Sequence, residues 1–265
     1  MKRLKILLGF LFFLVFVYLF ALVRYKNTCF ILVYHRIDNY QGGLKSLYVK
    51  PETFEKQMRL LKRKKYESIS LTELRYRLEN KLPLTKKFCI TFDDGYKDLL
   101  NAYPILKKYG YKATVYIHVE AIKSGVYSYP KMPQTQMISE NELRNVLDVF
   151  EVGSHSISHP DLSNLTYDEI VKEIKESKMY LEKTFNTKIE HFCYPFGRIF
   201  KDYSKLLSQF GYKTATTLNS NIIYPEDNID FYSLPRVEWK EISASSLKDF
   251  IRNIDFYLKV VVFSI

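Results

Sequence analysis

From Cys29 onward, short apolar runs alternate with longer stretches in which apolar residues recur every three or four positions. The short runs are Cys29–Tyr34, Phe88–Phe92, Ala113–Val119, Phe150–Val152, Ile189–Tyr194, Lys213–Thr217 and Tyr232–Val237. Rich in β-branched and aromatic residues, they predict strands. Pro51–Tyr66 places Phe54, Met58 and Leu61 on one face, and Thr166–Phe185 does the same with Ile170, Ile174 and Leu181. Both predict amphipathic helices. Ser70 with Glu73, Ser139 with Glu142 and Thr166 with Glu169 have capping-box spacing. There the hydroxyl accepts from an otherwise unpaired N–H and the glutamate reaches back. The β-α-β-α order predicts a parallel sheet or barrel. Ser124–Gln136, holding Gly125, Pro130 and Pro133, reads as a long loop.

The first residues break this pattern. Lys2, Arg3 and Lys5 precede an uncharged run of 18 residues, Ile6–Val23. At 1.5 Å per residue that run is close to the length needed to span a bilayer. No Ala-x-Ala cleavage pattern follows it. The expected organisation is therefore an N-terminal signal-anchor over residues 1–23 and one catalytic domain over 24–265. Arg24, Lys26 and Arg36 nearly balance the charges before the span, and the N-terminal amine tips the domain toward the outside of the cytoplasm. The apolar C-terminal run Phe256–Ile265 is too short to span.

Composition narrows the class. At 47% hydrophobic, with 9 Gly and 9 Pro in 265 residues, the chain is neither disordered nor collagenous. Cys29, Cys89 and Cys193 form no Cys-x-x-Cys pair, so they are expected to be buried free thiols. The net charge of +11 suits an anionic neighbour. Lysines are spread along the chain, however, and the densest run, Lys62–Lys65, falls at a predicted helix end where cations complement the dipole. Nucleic acid is therefore not an expected partner. No sequence feature sets an oligomeric state.

In α/β folds chemistry gathers where strands end, and four polar groups follow predicted strands here. Asp93 and Asp94 follow Phe88–Phe92, and two adjacent carboxylates stay ionised only beside a cation or strong donors. His155 and His159 follow Phe150–Val152 and can point at a common centre. Two imidazoles and one carboxylate make a three-ligand metal site with open positions, leaving the second carboxylate as a base for a metal-bound water. His35 ends the first strand and is a candidate general acid. The turn Cys193–Arg198 could present backbone N–H groups to an oxyanion. His118 and His191 read as satisfied strand residues. Tyr96, Tyr194, Phe196 and Trp239 suit the core as well as they suit stacking on sugar.

Thr91-Phe92-Asp93-Asp94-Gly95-Tyr96 and Ser154-His155-Ser156-Ile157-Ser158-His159-Pro160 resemble the first two signature motifs of the NodB-homology polysaccharide deacetylases, carbohydrate esterase family four. The resemblance runs from about Ile31 to Val237. It implies a distorted (β/α) barrel, a divalent metal that is usually zinc, with nickel or cobalt accepted by some members, and hydrolytic removal of acetyl groups from glycans. It assigns Asp93 as catalytic base and Asp94, His155 and His159 as metal ligands. It places Tyr194 in the turn whose N–H helps form the oxyanion hole.

Two departures point to a subgroup. Phe192-Cys193-Tyr194-Pro195-Phe196-Gly197 lacks the usual arginine, and Leu234-Pro235-Arg236 stands in place of a late Leu-x-His. With Val33-Tyr34-His35-Arg36-Ile37, these features resemble the deacetylases of biofilm poly-N-acetylglucosamine, in which the acid histidine precedes the Asp-Asp motif. The resemblance thus assigns His35 as the acid and Arg236 as the residue that orients Asp93 and depresses its pKa. The expected substrate is an N-acetylated polysaccharide of the poly-N-acetylglucosamine, peptidoglycan or chitin type. An O-acetyl esterase, a catalytically silent glycan-binding relative and a two-His-one-carboxylate iron oxygenase are the alternatives.

Overall fold

Alternation along the first strand sorts its side chains onto two sides of a sheet. Phe30, Leu32 and Tyr34 enter one buried cluster, while Cys29 and Ile31 enter another. The computed structural model describes residues 27–129, 133–225 and 228–240. Its strands are β1 (Cys29–Tyr34), β2 (Arg36–Ile37), β3 (Tyr48–Val49), β4 (Glu67–Ser68), β5 (Lys87–Phe92), β6 (Ala113–Ile117), β7 (Val126–Tyr127), β8 (Thr135–Gln136), β9 (Phe150–Ser154), β10 (His191–Cys193), β11 (Thr214–Thr216) and β12 (Val237–Glu238).

The main sheet is parallel in the order β11-β10-β9-β6-β5-β1-β12, with β4 also on β5. It curls into a half-barrel. Leu234 bridges Thr216 of β11, and three residues later Val237 pairs with Leu32 of β1. One short segment thus touches both edges of the sheet, which a flat sheet would forbid.

The larger cluster lies between the sheet and its helices. Helix Pro51–Arg63 starts with Pro51 in its first turn and buries Phe54, Met58 and Leu61. Phe54 meets Tyr34 edge-on at 5.0 Å. Each such buried side chain contributes roughly 1.5–3 kcal/mol. Helix Tyr167–Phe185 is opened by a full capping box from Thr166 and Glu169 and buries Ile170, Ile174 and Leu181. Ser139 and Glu142 form the second full box. At Ser70 only half the box forms: its hydroxyl accepts from the Glu73 N–H, but the Glu73 carboxylate pairs with Arg77 at 2.7 Å instead. The smaller cluster fills the barrel interior. Leu71, Leu74 and Leu78 of helix Leu71–Glu79 plug it against Cys29, Cys89 and Cys193, all free thiols.

Three expectations shift. The last strand begins at Val237 rather than Tyr232, because Phe231 and Leu234 exchange backbone hydrogen bonds with Ala215 before the chain reaches β1. The Ser124–Gln136 segment holds a small antiparallel pair, β7 with β8. His118 lies just past its strand, where it precedes helix Val119–Ser124. The N-terminal anchor and the C-terminal apolar run lie outside the described residues. Among the described residues no helix is long and apolar enough to cross a membrane.

Candidate metal and catalytic site

The ends of β1, β5, β9 and β10 bring the sequence-predicted residues to one pocket of about 340 Å³, lined by His35, Asp93, Asp94, His155, His159 and Tyr194 among others. Each is placed by local backbone chemistry. The Asp93 N–H donates to the Tyr34 carbonyl at 2.9 Å, which ties the Asp-Asp turn to β1. Asp94 then turns left-handed at φ 71° and Gly95 at φ 76°. A Cβ on Gly95 would lie 2.6 Å from Ile117 Cδ1, so both the φ and the space call for glycine.

The histidine loop is likewise bent, with Ser156 at φ 71° and His159 at φ 58°. Left-handed backbone at such residues is costly and persists only where the surroundings hold it. Here Glu173, from helix Tyr167–Phe185, accepts the Ile157 N–H at 2.7 Å, the Ser158 N–H at 3.1 Å and the Ser158 hydroxyl at 2.7 Å. Glu173 carried no sequence signal. Its place beside the histidine loop, from the helix that follows it, becomes visible only in three dimensions.

Asp94 Oδ1 lies 3.4 Å from His155 Nε2 and 3.3 Å from His159 Nε2. The three ligand atoms lie within 4.8 Å of one another and are buried or nearly so. His155 Nδ1 faces the Cys193 carbonyl at 2.8 Å, and a carbonyl only accepts, so Nδ1 carries a proton. In the neutral ring Nε2 therefore presents its lone pair to the Asp94 carboxylate. Buried acceptors facing one another repel unless a cation sits among them. Burial alone would raise the Asp94 carboxyl, but its hydrogen bonds to both imidazoles hold it well below the usual carboxylate range. Burial would depress His155, yet Cys193, Asp94 and Asp93 raise it well above an ordinary imidazole, so the Asp94–His155 contact draws in a positive charge, a proton where no metal is bound. The donor set therefore fits a divalent cation taking nitrogen and oxygen ligands.

Asp93 stands beside this cluster and faces Arg236. Arg236 Nη1 donates to Asp93 Oδ1 at 2.6 Å and Nη2 to Oδ2 at 2.7 Å. The other donors of Arg236 go to Thr91 Oγ1, the Thr217 carbonyl and Cys193 Sγ. Burial would raise Asp93, but the charge and hydrogen bonds of Arg236 lower it. Asp93, His155 and Cys193 also converge within 4.8 Å. The guanidinium lies 3.1 Å from that thiol and is already the cation of this second group. His35 Nε2 lies 3.9 Å from Asp93 Oδ2, with its side chain 15% exposed.

The Tyr194 expectation needs correction. Its N–H donates to the Thr216 carbonyl at 3.3 Å and so is taken up by the sheet. In the same turn the Gly197 and Arg198 N–H groups bond to Tyr194 and Pro195. Phe196 is left-handed at φ 58°, half exposed, and edge-on to His159 at 4.8 Å.

His118 is buried against Tyr127 at 4.4 Å, and burial pushes its pKa down to about 3, so it is neutral in ordinary conditions. His191 bonds Thr72 and Thr214 inside the barrel and is structural. Tyr96, Tyr194 and Trp239 are buried.

A curled parallel sheet with carboxylates and imidazoles gathered where its strands end is the arrangement of a hydrolytic (β/α) enzyme. The chain belongs to the polysaccharide deacetylase family, whose pattern matches residues 81–215. The YxkH protein of Bacillus subtilis is 30% identical over 210 residues, covering 78% of this chain and 70% of its own. A poly-beta-1,6-N-acetyl-D-glucosamine N-deacetylase from Staphylococcus aureus is 28% identical over 240 residues, covering 81% of this chain and 80% of its own. The structure of the Streptococcus pyogenes deacetylase PplD in complex with acetate superimposes with a TM-score of 0.71 at 29% identity, covering 83% of this chain and 96% of that one. Membership in this family leaves the iron-oxygenase alternative without support.

Proposed function

We propose that the chain is a divalent-metal-dependent N-deacetylase of poly-N-acetylglucosamine or a closely related glycan. One observation carries this reading: Asp94, His155 and His159 converge while Asp93 stands beside them with both its oxygens bonded to Arg236. The similarity to an N-deacetylase of that polymer supports the substrate. Zinc suits the two-imidazole, one-carboxylate donor set, and nickel or cobalt would serve.

A divalent metal held by Asp94, His155 and His159 would polarise the acetamide carbonyl and acidify a bound water. Asp93 is placed beside that cluster to accept a proton from the attacking water. Arg236 keeps Asp93 ionised and fixes both its oxygens. The Phe196 N–H replaces that of Tyr194 as the backbone donor available to the developing oxyanion. His35, in its protonated form, protonates the departing amine. Leu44, Leu47 and Leu218 give the pocket apolar walls that limit water around the reacting amide.

Residues 1–23 serve as a membrane anchor in this reading, with residues 24–265 as the catalytic domain on the outer side. The uncharged run Ile6–Val23 supports that placement. The deciding experiment is acetate release by the full chain from a panel of N- and O-acetylated glycans, with and without chelator. Release from N-acetylated polymer that stops with chelator is expected. Release only from O-acetylated polymer, little affected by His35→Ala, would favour the esterase, because an alcohol leaving group needs less protonation than an amine. Glycan binding with no release would favour the silent relative.

A further inference from the structure

His35 projects from a short connection between β1 and β2, and connections of this kind move readily unless tied down. This one is tied on both sides to a single neighbouring segment. On the upstream side the Tyr34 carbonyl accepts the Asp93 N–H. On the downstream side Arg36 Nε donates to Asp98 Oδ2 at 2.7 Å, and the Ile37 N–H donates to Asp98 Oδ1 at 3.0 Å. Asn101 Nδ2 adds a bond to the Ile37 carbonyl at 2.9 Å. The Arg36 guanidinium is held between two rings, 4.5 Å from Tyr48 and 4.8 Å from Tyr96.

The Arg36–Asp98 pair is almost fully buried, at 7% and 6% side-chain exposure. A buried ion pair adds little net stability over apolar residues of the same size, because desolvation offsets the attraction. Geometry is what it supplies here. Asp98 uses one oxygen for the side chain after His35 and the other for the backbone one residue later. It stands five positions after Asp93, on the continuation of the same turn. The two candidate proton-transfer groups are thereby referenced to one rigid stretch of chain.

We infer that Asp98 is a positioning residue that holds the His35 imidazole in register with Asp93. The inference rests on His35 being the general acid. A misplacement of about 1 Å can cost on the order of 10²-fold in rate, so a partial loosening should lower turnover measurably without touching the metal.

The test is a double-mutant cycle on the full chain loaded with zinc, reading kcat and KM for acetate release from an N-acetylglucosamine oligomer, with metal content and Tm alongside. Asp98→Asn keeps an acceptor for the Ile37 N–H but removes the charge facing Arg36. Alone it should lower kcat about tenfold, with KM within about twofold and zinc content unchanged. In the His35→Ala background it should lower kcat by less than about twofold further, since the residue it positions is gone. The same fall in both backgrounds would overturn the inference and leave Asp98 as a fold-stabilising residue only. Should His35→Ala alone keep full turnover, the acid assignment falls and the positioning role with it, a result distinct from equal effects. If Asp98→Asn does not fold, Asn101→Ala, at an exposed position, takes its place in the cycle. It removes only the bond to Ile37 and should lower kcat about two- to fivefold in the His35 background alone. An equal effect in both backgrounds would again overturn the inference.

Discussion

Arg236 and Asp93 lie 143 positions apart in sequence and meet through two hydrogen bonds of 2.6 and 2.7 Å. Burial pulls the Asp93 pKa up and Arg236 pulls it further down, so the carboxylate is ionised below the usual range. Replacing Arg236 with Met removes the largest opposition to burial and leaves only His35 and His155 against it. Because the proposed mechanism needs Asp93 unprotonated, the acidic limb of the kcat/KM profile should move to higher pH. A pH–rate profile of wild type and Arg236→Met checks the direction, and an unmoved limb would remove Arg236 from this role.

Asp93→Asn preserves the shape of the side chain and leaves Asp94, His155 and His159 in place. Zinc content should stay close to wild type while kcat falls by about 10²–10⁴, and Tm should fall because the buried Arg236 loses its counter-charge. Metal analysis beside single-turnover acetate release would reveal it, and wild-type turnover would remove Asp93 from the mechanism.

Zinc should stabilise the fold by binding the native state alone. At a hundredfold excess over Kd the gain is about 2.7 kcal/mol, which corresponds to a rise in Tm of roughly 5–10 °C for a domain of this size. Chelator should reverse the rise. Asp94→Asn should abolish it, and a thermal melt of the two proteins with and without zinc is sufficient.

Glu173 holds the loop between His155 and His159 by three hydrogen bonds. Glu173→Ala leaves three half-buried donors without their acceptor and should cost about 1 kcal/mol of stability or somewhat more. Zinc affinity should fall about 10–100-fold, the usual effect of losing a residue that orients ligands. Urea unfolding and zinc titration report the two effects separately.

Gly153 lies two residues before His155 against the Tyr116 ring. A Cβ there would sit 2.5 Å from Tyr116 Cδ1 and 3.1 Å from the His191 carbonyl. Tyr116 is fully buried and has nowhere to retreat. Gly153→Ala should destabilise by about 1–3 kcal/mol through overpacking, read as a lower urea midpoint with an unchanged m-value.

The candidate metal cluster is legible in the sequence because each motif sits directly beyond an apolar run, and strand ends carry the chemistry in this class of fold. β1 was read to the residue, since its six positions are all buried and bounded by polar residues. β12 was not, because the residues before it are apolar for a different reason: they pair with β11. Asp98 and Glu173 look like ordinary helix acids in the sequence. Their partners, Arg36 and Ile37 for Asp98 and the Ile157 and Ser158 N–H groups for Glu173, are brought near by tertiary packing, which no local pattern encodes. Tyr194 was misjudged because a backbone N–H carries no side-chain signature, and only the register of β10 with β11 shows where it points.

The order in which the parts are synthesised follows from β12 pairing with β1. A nascent chain that has left the ribosome as far as residue 159 already carries every candidate metal ligand, but Arg236 arrives some eighty residues later. Until then the barrel stands open along one side, and Asp93 has no guanidinium to face. Glu173 and the Cys193 carbonyl, which hold the histidine loop and the His155 ring, emerge between the two. The parts of the proposed cation site are thus all on the chain before the guanidinium that faces Asp93 is made.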